Sequence, residues 1–148
     1  MSQQTESVLN NVLIDMARSF LQYLSEAWPW VSTQDHSAEE QVNTIAARQR
    51  QDVADIVSLL TAREHFIDFG SFPTEYTDLQ FIALEAMFDS LHSSQATVCD
   101  SIASALLQLR EGGDEEAVDL LTAIETRQKE AVTALKDVQE QLATTSAD

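Results

Sequence analysis

From Thr77 to Leu109 one pattern runs without a break. Thr77, Phe81, Leu84, Phe88, Leu91, Gln95, Val98, Ile102, Ala105 and Leu109 follow one another at spacings of four and three. An α-helix brings such residues onto one face, and a seam this long has to be covered by neighbouring helices at a shallow crossing angle. The rest of the chain is therefore read as the partners of this helix.

Three further segments carry the same spacing. Leu9, Leu13, Met16, Phe20, Leu24 and Ala27 predict a first helix over about 6–28, stopped by Pro29 between Trp28 and Trp30. Ser37-x-x-Glu40 is a capping box for a second helix over about 38–67, with Val42, Ile45, Gln49, Val53, Ile56 and Leu60 inward. Gly70 and Pro73 end it, and Thr74 caps the third helix, predicted over about 75–110 and closed by Gly112-Gly113. Asp114 caps a fourth over about 114–143, whose seam is Ala117, Leu121, Ile124, Gln128, Ala131, Leu135 and Val138, ahead of a frayed tail from Ala143. Short connections make sequential helices antiparallel, so the expectation is all-α: one domain over residues 1–148, an antiparallel up-down-up-down four-helix bundle. A long coiled-coil hairpin that dimerises is the competing arrangement.

Charge narrows the partners. Eight Lys and Arg stand against 25 Asp and Glu, a formal net charge of −17. Nucleic acid and anionic membrane both need basic surface, so neither is expected. A homodimer or a basic protein partner remains compatible. The lone Cys99 excludes an intramolecular disulfide and fits a reducing compartment. The first residues lack the basic stretch of a signal peptide, and no apolar run reaches the ~20 residues of a membrane span, so a cytoplasmic protein is expected.

The seams are interrupted by a few polar residues. Gln49 and Asp52 lie in the second helix, Gln95 in the third and Gln128 in the fourth. Antiparallel pairing sets them at one height in mid-bundle, with Asp89, His92 and Glu125 nearby, and brings Asp15 and Arg18 to the same level. Such a layer is either a hydrogen-bonded device that fixes helix register or a binding site. Glu85, Asp89 and His92 share a face of the third helix, and Asp52, Glu85, Asp89, His92 and Glu125 are the candidate donors for iron, manganese or zinc. Gln49-x-x-Asp52 and Glu125-x-x-Gln128 stand where a di-metal bundle needs Glu-x-x-His, and neutral amides are poor ligands, so no metal or other cofactor is expected. Glu64, His65, Asp68, Glu75 and Tyr76 form an acidic cluster at the bundle mouth. Cys99 lies two turns from His92, too far for a nucleophile and its base.

The four-helix plan, the mid-bundle carboxylates and the connection Phe72-Pro73-x-Glu75-Tyr76-Thr77-Asp78-Leu79-Gln80-Phe81 together resemble the ferritin-like superfamily. They are most similar to small bacterial members with a Phe-Pro-x-x-aromatic-Thr loop before the third helix. That resemblance implies a di-metal oxidase or iron-storage activity, from which this sequence departs because neither Glu-x-x-His is intact. Three functional expectations follow. The first is a non-enzymatic partner-binding or structural bundle with a buried polar layer and no catalytic residue. The second is a metal-binding oxidase or storage protein. The third is a carrier for a small apolar ligand near Phe20, Phe88 and Gln95.

Overall fold

The computed structural model of the chain describes residues 2–26, 36–71 and 84–147. Among them the regular structure is helical: α1 Ser2–Ala17, α2 Phe20–Glu26, α3 His36–Ala62, α4 Leu84–Gly112 and α5 Glu115–Ala147. The α1–α2 pair forms one corner of a bundle, and α3, α5 and α4 form the others in that order around it.

The expected single first helix is broken at Arg18-Ser19. Ser19 caps α2, its Oγ accepting the Gln22 N–H at 3.3 Å. The Phe20 N–H, another donor orphaned by the break, goes to Ser94 Oγ of α4 at 3.0 Å. At the other end of the chain α5 is helical to Ala147, so the tail expected to fray continues the helix. The expected Trp28-Pro29-Trp30 corner and the Phe72–Phe81 connection, with Glu75, Tyr76 and a third-helix start near 75, lie outside the described residues.

Helix direction departs from the up-down-up-down expectation. Gln41 bonds Gln141 and Arg63 bonds Asp114, so α3 is antiparallel to α5. His92 meets Gln139, so α4 is antiparallel to α5 as well. The helices α3 and α4 therefore run parallel, facing each other across the bundle diagonal, and the order is up-down-down-up. The second helix ends at Ala62 and not near 67, and residues 63–71 run back along α1. The sequence between Ala62 and Leu84 is long enough for this order, with a reach of ~70 Å fully extended against ~40 Å for the length of α3.

The described part of that connection climbs α1. It starts with a Schellman closure of α3, His65 N–H to Leu60 O and Glu64 N–H to Thr61 O, with Glu64 at φ +58° where glycine is usual. Arg63 lies beside Glu6, Asp68 beside Asn10, and Phe69 beside Arg18. Gly70 adopts φ +67° against Ile14, where a Cβ would come within 2.7 Å of Ile14 Cγ2. The α4–α5 connection is as short as expected. Gly113 takes φ +73°, and Asp114 Oδ1 accepts the Ala117 N–H at 3.2 Å.

The apolar interior is divided in two. One cluster joins Leu9 to Met16 of α1, Val53 to Leu60 of α3, Val98 to Leu109 of α4 and Ala117 to Ile124 of α5. The other joins Phe20 to Leu24 of α2, Ala38 to Ala46 of α3, Phe88 and Leu91 of α4, and Leu135 and Val138 of α5. Between them lies a polar storey.

Candidate functional site: a closed amide layer

The storey is built from one or two positions on each corner. Gln49, Asp52, Gln95 and Gln128 are each 1 % exposed, and Ser19 and Gln22 are buried beside them. Gln49 lies near the middle of α3 and Gln95 near the middle of α4.

Gln49 is the hub. Its Oε1 accepts from Ser19 Oγ and Gln22 Nε2, each at 2.9 Å. Its Nε2 donates to Gln95 Oε1 at 3.2 Å, across the diagonal, and to Gln128 Oε1 at 2.9 Å. Both donor and both acceptor positions of this amide are thereby used. Gln95 Nε2 donates to Gln128 Oε1 at 2.8 Å and to the Gln128 carbonyl at 3.1 Å. Gln128 Nε2 donates to Asp52 Oδ2 at 2.7 Å, and Arg127 Nε donates to Asp52 Oδ1 at 2.6 Å. At the far side Gln22 Nε2 also donates to the Ala46 carbonyl at 2.8 Å, and Arg50 donates to Gln22 Oε1 at 3.2 Å.

The charges at the two edges determine which way every amide points. Asp52 accepts only, so Gln128 must turn its nitrogen to it and its oxygen inward. Gln49 and Gln95 then present nitrogens to Gln128, which leaves Gln49 Oε1 for Ser19 and Gln22. Arg50 donates only, so Gln22 must offer it an oxygen, which leaves the Gln22 nitrogen for Gln49. The two edges demand the same arrangement. Burial pushes the Asp52 carboxyl above its ordinary range, opposed by the hydrogen bonds from Arg127 and Gln128.

A trough opens beside the layer between α3 and α5. Two clefts, of about 320 and 300 Å³, share Ile45, Arg48 and Ala134. The first reaches Gln49, Asp52 and Gln128. The small Ala131 and Ala134 of α5 line the floor of the trough, between Gln128 and Val138.

No family model and no curated protein matches this chain.

The other residues expected in the layer are elsewhere. Asp89 is exposed. His92 is half-buried against Phe88, with Nε2 on Gln139 Oε1 at 2.8 Å and Nδ1 buried without a partner. Glu125 is partly buried and 3.9 Å from Lys129. Asp15 accepts from Ser101, and Arg18 donates to the Phe69 carbonyl. The Glu85 side chain lies outside the described set. As a metal site the layer does not fit. Its amide oxygens each accept hydrogen bonds, and both Asp52 oxygens are taken. Among the described residues no three His, Cys, Asp or Glu are grouped to hold a metal ion. Phe20 and Phe88, expected to border a carrier cavity, are buried in the second apolar cluster.

Sequence reasoning missed Ser19 and Gln22. The available signal was a single amide inside the apolar run Phe20-Leu21-Gln22-Tyr23-Leu24, the same signature that marked Gln95 and Gln128. A second polar cluster closes one end of the bundle. Arg63 binds Asp114 through two hydrogen bonds of 2.6 and 3.0 Å, Glu116 at 3.0 Å, and approaches Glu6 at 3.7 Å. The guanidinium holds the Asp114 carboxyl below its ordinary range. Glu6 Oε2 is buried without a hydrogen-bond partner. No described helix is long and apolar enough to cross a membrane.

Proposed function

We propose that this chain is a non-catalytic, partner-binding bundle of the ferritin-like type, in which an amide layer takes the place of a metal centre and locks helix register. The observation that carries the reading is the closure of the layer on itself: its hub has no free donor or acceptor for a substrate or an ion. The parallel α3 and α4, joined by one long connection, support the ferritin-like part, since that order is characteristic of such bundles. So does the helix-by-helix placement of Gln22, Gln49-x-x-Asp52, Gln95 and Glu125-x-x-Gln128. A di-metal bundle needs a carboxylate on each of two helices and Glu-x-x-His on the other two. Here Gln22 and Gln95 hold the single positions, and amides interrupt both paired motifs. Function then resides on the outer surface, whose strong negative charge favours basic partners.

The test is elemental analysis after growth and reconstitution with iron, manganese and zinc. The expected stoichiometry is far below one metal per chain. One or more tightly held metal ions per chain would overturn the reading in favour of an oxidase or storage protein.

A further inference from the structure

Three large apolar side chains stand out among the described residues: Phe66 is 84 % exposed, Leu107 64 % and Phe69 44 %. Phe66 and Phe69 share the strap of residues 63–71 that climbs α1. This strap is pinned. The Asn10 side-chain amide donates to the Asp68 carbonyl and accepts from the Asp68 N–H, both at 3.0 Å, much as a neighbouring strand would. Arg18 Nε donates to the Phe69 carbonyl at 2.9 Å, and Asp68 Oδ1 accepts the Gly70 N–H at 2.9 Å. Ile67 packs on the apolar core. A backbone held at so many points packs Ile67 on the core and still leaves Phe66 outside, although burying a Phe ring is favourable.

We propose that the strap is a docking ridge for a basic protein partner. Phe66 is the anchor seated in an apolar pocket of that partner, Phe69 flanks it, and Lys or Arg on the pocket rim meets the exposed Glu64 and Asp68. Three features select this occupant. The fixed backbone lowers the ordering cost of binding. Aromatic side chains supply the dominant contacts of protein interfaces. The net charge of −17 draws in a basic surface and repels a second copy of the chain. The proposal rests on the partner-binding reading above and names its surface.

The test uses the full chain as bait for a phage-displayed library of random peptides. The two best peptides are then titrated against wild type, Phe66→Ser and Leu107→Ser. Selected peptides should carry Lys or Arg around an aromatic or Leu. Their affinity should fall about tenfold for Phe66→Ser and less than about twofold for Leu107→Ser, and should weaken with salt. Circular dichroism should show Phe66→Ser as helical as wild type. Peptides that bind Phe66→Ser as well as wild type overturn the ridge while partner binding stands. A selection that yields no binder, or acidic binders, overturns both. A wild-type dimer by light scattering that Phe66→Ser dissociates assigns the ridge to a second copy and overturns the basic partner.

Discussion

The amide layer and the Arg63 cluster are both buried or half-buried polar groups in one bundle, yet they are built on opposite principles. In the layer four neutral glutamines use donor and acceptor positions against one another, and the one anion, Asp52, sits at the edge beside Arg127. In the cluster one cation holds three carboxylates, and an oxygen of Glu6 is left over. An amide has distinct donor and acceptor ends, so it accepts a neighbour in one orientation. An ion pair tolerates several geometries. The layer is thus suited to setting the register of four helices, and the cluster to tying the end of α3 to the starts of α1 and α5.

Removing the central cation should show the largest effect. Arg63→Met leaves Glu6 and Asp114 facing each other without their partner, and is expected to destabilise the fold by about 3 kcal/mol in urea unfolding. Gln128→Leu strips Gln49, Gln95 and Asp52 of a partner at once. It should destabilise by about 2 kcal/mol, mostly through buried groups left unsatisfied. A loss under about 0.5 kcal/mol would mean that water enters the layer through the trough. At the cluster end, Glu64→Gly relieves the left-handed backbone that closes α3 and should stabilise by about 1 kcal/mol.

Much of this comparison was legible in the sequence. Gln49, Gln95 and Gln128 stood out because each interrupts an apolar seam. Helix direction was not legible, since a heptad pattern reads the same for parallel and antiparallel neighbours. The layer survived that error for a simple reason: reversing a helix about its centre leaves its middle residue at the same height, and Gln49 and Gln95 are both central. Helix direction does not account for the neighbours of Gln95: His92, one turn away on the same helix, bonds Gln139, and Asp89 faces outward. Ser19 was hidden because it sits at a helix break, whose freed Phe20 N–H goes to Ser94 of another helix. The Asp114 cap was legible because Gly113-Asp114 contains its own stop and start signals.

The smallest expected effects are in pH, and they differ in sign. Asp52 has its pKa raised by burial, so the folded state holds that proton better than the unfolded chain. Its contribution to stability falls as pH rises from the ordinary carboxylate range through the raised value. Asp114 has its pKa lowered by Arg63, so its contribution is present above the ordinary range and is lost as pH falls through the lowered value. Unfolding measured from pH 3 to 7 should therefore show a shallower acid loss in wild type than in Asp52→Asn, and a steeper one than in Asp114→Asn.

The most direct measurement replaces Gln49, Gln95 and Gln128 by leucine together. Few groups are orphaned by this change. Gln22 keeps the Ala46 carbonyl, Ser19 keeps its cap of α2, and Asp52 keeps Arg127. The triple variant should match or exceed wild type in unfolding free energy. Its amide NMR spectrum should show more than one set of resonances, because nothing then selects a single helix register. A triple variant with one sharp set of resonances would contradict the claim that these amides lock the bundle.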